Sequence, residues 1–408
     1  MNVRTRSSDH SAPLQSFPFS LASGHVSRHR LASAAVGLLV AVSLAACSSA
    51  SSPAAAPSST AGVGSTSPSL AAVRARIAHY TQDPSWVPPG PAIDPARLSG
   101  KKILVIPSSS AIPFCSDLST DMASVARPFG VTVTQYANQG EPSQWVAGMD
   151  QALSTHVNLV DLTCGLNPSS LGPQIAQLKA AGIDVVSAHA YDPSQQPMAG
   201  LSGVVYAQYN LVGQLEADWA ILQTSGHGNI FVVSDEGDVS TPPLLAGMRS
   251  QFAQYCRSCT ISYVYIPIPD WSTKIEPAVA AKISGDPGLD FIIPIGDGMV
   301  QYVMPAMVAA GVTGRIQVGS FNATPSVIQT MQSGSTVTFD VGEDFPWLLR
   351  AILDQDFRVL LHVTPSPSEY APLRIFTKQN AGDAGHPPSF QNGYGNAASI
   401  NFATLWKG

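Results

Sequence analysis

From Lys101 onward, short apolar, β-branched runs alternate with segments of helical period, and this alternation sharply limits the folds open to the chain. The runs "KILVI", "VTVTQY", "VNLVDL", "IDVVSA" and "GVVYA" come first; "NIFVVS", "TISYVYIPI", "FIIPI", "RIQVGS" and "TVTFDV" follow. Between them lie stretches such as "PSQWVAGMDQAL" and "LGPQIAQLKAAG", with apolar residues at i, i+3 and i+4. Strands alternating with helices of that length predict parallel sheets covered on both faces. The strand runs are apolar on consecutive residues, as burial on both sides requires. Two groups of five such units predict an α/β chain of two doubly wound parallel-sheet lobes. A chain of this length also exceeds what one core serves.

Ahead of this region the composition changes twice. Residues Leu31 to Ala46 form an uncharged run that ends on Cys47, preceded by Arg28, His29 and Arg30. A membrane span needs about 20 apolar residues, and this run is shorter. A basic segment, a short apolar segment and small residues at the break predict an export signal over 1–46. The "LAAC" of Leu44 to Cys47 resembles the lipobox of bacterial lipoproteins, which implies cleavage before Cys47 and its lipidation. Residues 47–70, almost wholly Ser, Ala, Pro, Gly and Thr at first, read as a flexible tether. Residues 71–100 then give a lead-in helix, about Leu70 to Tyr80, and the proline-rich "PSWVPPGPAIDPARLSG", whose Trp86 is expected to pack on the domain.

Charge narrows the partners. Without residues 1–46, which hold four arginines and one aspartate, the 21 basic and 27 acidic side chains become 17 and 26, a net of −9. Nucleic acid or an anionic membrane surface would want a basic face instead. The only membrane attachment expected is the lipid. There is no Walker loop and no G-x-G-x-x-G after a first strand, so no cofactor is expected.

Four further cysteines, Cys115, Cys164, Cys256 and Cys259, read first as disulfides in an exported chain, with three pairings open. Cys256-x-x-Cys259 ends a predicted helix and precedes a strand. A redox pair would sit at a helix N-terminus, and a zinc site would need two more ligands nearby, so a structural disulfide is the expectation. In a sheet ordered 2-1-3-4-5, the first, third and fourth strands are neighbours. That would bring His189 to Cys115 and Cys164 as a metal set; outside the cytoplasm a Cys115–Cys164 disulfide is expected instead, and no metal.

In open α/β sheets, ligands bind beyond the carboxyl ends of the strands. Those ends here offer Phe114, Asn167, His189, Gln208 and Tyr209 in the first half. The second half offers Asp235, Trp271, Asp297, Asn322 and Glu343. Rings cover the apolar faces of a sugar, while carboxylates and amides bond its hydroxyls. Of Asp235, Glu236 and Asp238, one is expected to line a cleft and the others to cap a loop, because no EF-hand spacing is present.

Several motifs, in order, resemble those of the sugar-type, ribose-binding-protein-like type I solute-binding proteins of ABC transporters, over residues 101–378. "IPFC" is similar to the family's Pro-Phe element, which puts Phe114 on one cleft wall. "PDWSTK" resembles its Asp-aromatic element, which puts Trp271 on the other. "PIGDGMVQYVMPAMVAAG" carries over Asp297, "VGSFNATPSVI" resembles the Gly-x-Asp segment with Asn322 for Asp, and "WLLRAILDQDFRVL" resembles the returning helix. The resemblance implies the type I periplasmic-binding-protein fold, with a three-crossover hinge near Gln208–Tyr209, Val341–Gly342 and Val363–Ser368. The N-terminal lobe would then be 101–208 plus 342–364, and the C-terminal lobe and tail 209–341 plus 365–408. It also implies a monomeric lipoprotein that captures a small polar, carbohydrate-like ligand for an ABC permease and is not an enzyme. A sensor for a membrane signalling partner is the alternative. A hydrolase with Asp297 and Glu343 as paired acids is the rival from another class. The chain departs from the family at His189-Ala190, where Asp-Arg is usual, at Gly296 for Asn, and at "PPLL" for an arginine. Losing both arginines removes bidentate donors to adjacent hydroxyls, which weakens the expectation of a pentose or hexose.

Overall fold

The computed structural model describes residues 68–407 apart from Glu236, Ser335 and Ser368. The expected signal peptide 1–46, Cys47 and the tether as far as residue 67 lie outside the described residues.

All ten expected strands form. The first lobe is built from β1 (Lys102–Pro107), α2 (Pro113–Ala126), β2 (Thr132–Gln135), α3 (Pro142–Thr155), β3 (Leu159–Thr163), α4 (Gly172–Ala180), β4 (Asp184–Ala188) and β5 (Gly203–Tyr206), after an opening helix α1 (Pro68–Tyr80). The second contains α5 (Tyr209–Gln223), β6 (Asn229–Ser234), α6 (Thr241–Tyr255), β7 (Thr260–Tyr265), α7 (Trp271–Gly285), β8 (Phe291–Pro294), α8 (Asp297–Ala309), β9 (Gln317–Phe321), α9 (Pro325–Ser333) and β10 (Val337–Glu343). The chain ends with α10 (Phe345–Leu360), β11 (Glu369–Tyr370), β12 (Leu373–Thr377) and α11 (Ala397–Leu405). Two six-stranded sheets result, in the orders β11-β5-β4-β3-β1-β2 and β12-β10-β9-β8-β6-β7. Every pairing between these strands is parallel except β12, which runs antiparallel to β10. The consecutive apolar runs are buried on both faces; β3, for example, is buried at every residue from Leu159 to Thr163. The expected 2-1-3-4-5 neighbourhood of the first sheet is present.

The crossovers differ in position from expectation. The first lies between Tyr206 and Tyr209, as expected. The second comes later, because Gly342 and Glu343 stay in the second sheet, paired with Arg374 and Leu373. The third is not at Val363–Ser368: Glu369 and Tyr370 still pair with Val205 and Tyr206 of the first sheet, and the chain leaves only at Ala371. Gln355 on α10 holds the intervening turn, donating to Ser366 O at 2.9 Å and accepting from Ser366 N at 2.8 Å.

The two ends of the described chain also correct the expected lobe boundaries. Helix α1, expected only as a lead-in and assigned to neither lobe, packs its Ile77 into the core of the second. The proline-rich segment then crosses over, placing Ile93 and Leu98 in the core of the first lobe. The tail, assigned above to the second lobe, returns to the first, where Phe390, Phe402 and Trp406 pack with α10. As a result α10 is buried at every residue but Arg350, with sheet on one side and tail on the other. Its polar residues need internal partners: Asp354 accepts from Arg358 at 2.6 Å and from the Trp406 indole at 2.7 Å. Trp86 packs as expected, against Trp347 and Phe402 with centroids 4.7 and 5.0 Å apart. Arg374 on β12 clasps both end segments, contacting Thr81 O, Asp83, Asp383 and Gly393 O.

Several carboxyls lie in these cores. Asp161 on β3 and Asp356 on α10 are buried without hydrogen-bond partners among the described residues, and burial pushes Asp161 up to about 8. Burial likewise raises Asp218 and Asp344 to about 7. In the unfolded chain such groups ionise near pH 4. A protonated buried carboxyl therefore favours the fold at acid pH, and that advantage is lost as pH rises from about 4 to about 8. The melting temperature should fall between pH 5 and pH 8, and Asp161→Asn should flatten that slope. A melting temperature that climbs over this range would contradict the assignment.

Candidate functional site

The carboxyl ends of both sheets face one cleft. Its inner part is a cavity of ≈ 80 Å³ whose walls include Phe114, His189, Tyr209, Trp271, Phe321 and Asn322. An outer chamber of ≈ 270 Å³ adjoins it, with Trp145, Asn167 and Ser170 on one side and Pro267, Ile268 and Pro269 on the other. Ser108, Gly165, Asp235, Asp238 and Ile268 line both.

Local sequence explains how these groups are aimed. Pro113 starts α2, so Phe114 lies in its first turn, at the cleft end of β1. Its ring packs edge-on against Phe345 at 5.5 Å and tilted against His189 at 5.3 Å. Trp271 opens α7 and is fixed by its indole N–H, which donates to Ile266 O at 3.0 Å. Cys164, His189 and Asn322 follow strand ends and have φ of 59°, 53° and 114°. Non-glycine residues in that region cluster where function over-determines the backbone.

His189 is the hub across the lobes. Its Nε2 bonds the Glu343 carboxylate at the end of β10, and the Tyr209 hydroxyl lies 3.1 Å from its Nδ1 and 2.9 Å from its carbonyl oxygen. All three side chains are buried. Burial, then the nearby Asp238 and Glu343, push the Tyr209 phenol well above its ordinary value, so it stays a hydrogen-bond donor.

Asp235 and Asp238 stand at the junction of the two chambers. Asp235 Oδ1 accepts from Asp238 N at 3.3 Å, and Asp238 Oδ1 from Ser240 N at 2.9 Å. Burial and the neighbouring Asp238 push Asp235 well up, while burial raises Asp238 to about 6. The expectation that one acid lines the cleft and the rest cap a loop is half right. Asp238 does both, and Glu236 lies outside the described residues.

Three expected site residues do other work. Gln208 does not line the cleft; its Nε2 donates to Ala371 O at 3.1 Å and ties the first crossover to the third. Asp297 is buried, lines neither chamber and accepts from Thr324 N at 2.5 Å, which fixes the Asn322–Thr324 loop. Glu343 is fully buried and bonded to His189. With Asp297 committed to a loop and Glu343 to a histidine, the paired-acid arrangement of a hydrolase is not formed. Asn167 lines the outer chamber while its Oδ1 caps a short turn through Ser169 N at 3.0 Å.

The cysteines divide. Cys256 and Cys259 form the expected disulfide, with Cα atoms 5.3 Å apart. The expected Cys115–Cys164 disulfide is absent: both are free, buried thiols on the wall of the inner chamber. They are neighbours nonetheless, and burial together with a hydrogen bond to Cys115 raises the Cys164 thiol well above its usual value, which keeps it protonated and unreactive. Among the described residues no group of three His, Cys, Asp or Glu could hold a metal ion.

Sequence reading passed over Trp145, Ser108 and Gly165. Trp145 is the fourth residue of α3, with no strand-end signal, and its indole reaches Ser108 O at 2.9 Å. Gly165 has a φ of 82°, and a Cβ there would run into the Asp238 carboxylate of the opposite lobe. The approach is similarly close at Gly140, where a Cβ would stand 2.9 Å from the Ile268 side chain.

Residues 103–354 match the family model described as "Periplasmic binding protein domain". Among curated proteins, none matches significantly. Among solved structures, the chain is similar to a Caulobacter myo-inositol binding protein bound to myo-inositol, with 17% identity, a TM-score of 0.61 and coverage of 71% of this chain and 97% of that one. An ABC transporter solute-binding protein of Agrobacterium vitis bound to α-D-tagatopyranose gives 17%, 0.62, 69% and 96%. One from Mycobacterium smegmatis with bound glycerol gives 17%, 0.60, 69% and 96%. At that identity the likeness is one of fold.

Two measurements check this geometry. Thiol titration of the denatured, unreduced 68–408 segment should count Cys115 and Cys164 and no others; if neither reacts, they are bonded after all. Gly165→Ala should prop the lobes apart, since the new methyl and the left-handed backbone both oppose closure. It should enlarge the radius of gyration in small-angle scattering, and an unchanged scattering profile would remove Gly165 from the closure contact.

Proposed function

The chain belongs to the periplasmic binding protein domain family, and from that premise we propose that it captures a small hydroxylated solute between its lobes and hands it to an ABC-type membrane permease. The observation that carries this reading is the cleft itself. It lies beyond the strand ends of both sheets, where open α/β folds bind ligands. It also combines ring faces with a few hydrogen-bonding groups, the usual make-up of a small-molecule site. The structural neighbours hold inositol, a ketohexose or glycerol, which supports a polyol-like solute here. Ring faces at Phe114 and Trp271 would cover the part of the solute that enters the inner chamber, and Asp235, Asn322 and the Tyr209 hydroxyl would meet its polar atoms. Reversible closure would then serve delivery. The chemistry is binding: the acids are either tied into hydrogen bonds or lack an aligned nucleophile.

In the same proposal the protein is exported and held at the outer face of the cell membrane by lipid on Cys47. No described helix is long and apolar enough to cross a membrane. Cys47→Ser should shift the protein from the membrane fraction to the medium or leave it unprocessed. A mutant that fractionates like wild type would end the lipoprotein reading.

Calorimetric titration across sugars, cyclitols and short polyols tests the receptor reading. Trp271→Ala should weaken the best ligand by about 1–3 kcal/mol through loss of a ring face. Unaltered affinity in that variant, or a ligand bound away from the interlobe cleft, would sink the proposal.

A further inference from the structure

No lysine or arginine is found among the described residues lining either chamber of the cleft. Two carboxylates, Asp235 and Asp238, line both. The one basic side chain, His189, is committed to Glu343 and Tyr209. Asp235 is 4% exposed, and beyond its Oδ1 contact with Asp238 N its Oδ2 has no hydrogen-bond partner among the described residues. Ser108, 2% exposed and on the wall of both chambers, has an Oγ with no partner either. Facing these groups are the rings of Phe114, Tyr209, Trp271 and Phe321.

Paired carboxylates with no lysine or arginine among the described lining residues, opposite aromatic π-faces, favour an organic cation. The carboxylates supply charge-assisted hydrogen bonds and the rings supply the negative faces of their quadrupoles. An anionic solute would place a third negative charge beside Asp235 and Asp238. A neutral one would leave them to repel each other or to hold protons. Size divides the two chambers further. The inner cavity of ≈ 80 Å³ is below the ~150 Å³ of a cavity that holds a benzene ring, so it suits a head group. The outer chamber of ≈ 270 Å³ has room for a ring, with Trp145 as its platform and Asn167 and Ser170 as polar partners.

We propose that the cleft takes a hydroxylated organic cation of the amino-sugar or aminocyclitol class, its protonated amine at Asp235 and Asp238 and its ring in the outer chamber against Trp145. This inference rests on the solute-receptor reading above and specifies its ligand. The test is calorimetric titration of the full-length processed protein with matched pairs: glucosamine against glucose, galactosamine against galactose, and streptamine against myo-inositol, with glucuronate as the anionic control. At least one amine should bind about tenfold or more tightly than its neutral partner. Asp235→Asn should abolish that preference while the circular dichroism and melting temperature report an intact fold. Trp145→Ala should weaken the amine and its neutral partner alike. Neutral members binding as well as the amines, glucuronate binding best, or a folded Asp235→Asn that keeps the full preference would each overturn the cation assignment and leave the receptor reading standing. If no member of any pair binds, the hydroxylated-solute reading falls and the cation assignment falls with it.

Discussion

The buried bond between His189 and Glu343 is the contact on which the two-lobed arrangement turns. It joins the end of β4 to the end of β10, and so one sheet to the other, at the floor of the cleft. The next residue, Asp344, accepts from Trp347 N at 3.0 Å and caps α10, which carries the chain into the first lobe. Two adjacent carboxylates thus perform two tasks at one crossover: one reaches across to a histidine, the other starts the helix that fills the opposite core. Removing one partner of this buried bond leaves the other a buried, unsatisfied polar group, at a cost of about 1–3 kcal/mol. The Tyr209 hydroxyl, bonded to both the ring and the carbonyl of His189, extends the link to the start of α5. The hinge and the cleft wall are therefore made of the same atoms, and any solute that touches His189 or Tyr209 also touches the joint.

Most of the architecture was legible because it rests on periodicity. Ten apolar runs and the helical segments between them specify two wound sheets whatever the details of the loops. The motifs that placed Phe114, Trp271 and Asn322 on the cleft depend only on following a strand. Asp297 and Gln208 also follow strands, yet they turn inward to hold Thr324 and Ala371, and which way a side chain points from a loop is a matter of tertiary contact. The third crossover was misplaced because β11 is two residues long, too short to register as a run. Trp145 was missed for the opposite reason: it sits on a helix face whose pattern is ordinary, and only packing against β1 aims it into the outer chamber.

The cysteines show the same division between local and non-local information. Cys256 and Cys259 lie one turn apart, and their separation alone brings the sulfurs into reach. Cys115 and Cys164 become neighbours only through the adjacency of β1 and β3, which the strand order correctly implied. Adjacency is not bond formation, however. Burial holds the Cys164 thiol protonated, and a protonated thiol is a poor partner for disulfide exchange. An even number of cysteines constrains the possible bridges without requiring each one.

The two end segments clasped by Arg374 change what opening means for this protein. Besides the three crossovers of the hinge, the lead-in passes from the second lobe to the first, and the tail does the same, so five stretches of chain span the lobes. Each stretch must bend when the cleft widens, and each therefore adds stiffness to the same coordinate. A stiffer coordinate keeps the widely open form a smaller fraction of the ensemble, and exchange of solute with the medium scales with that fraction. For the receptor proposed above, that bias would favour long residence of a captured solute over frequent sampling of its surroundings.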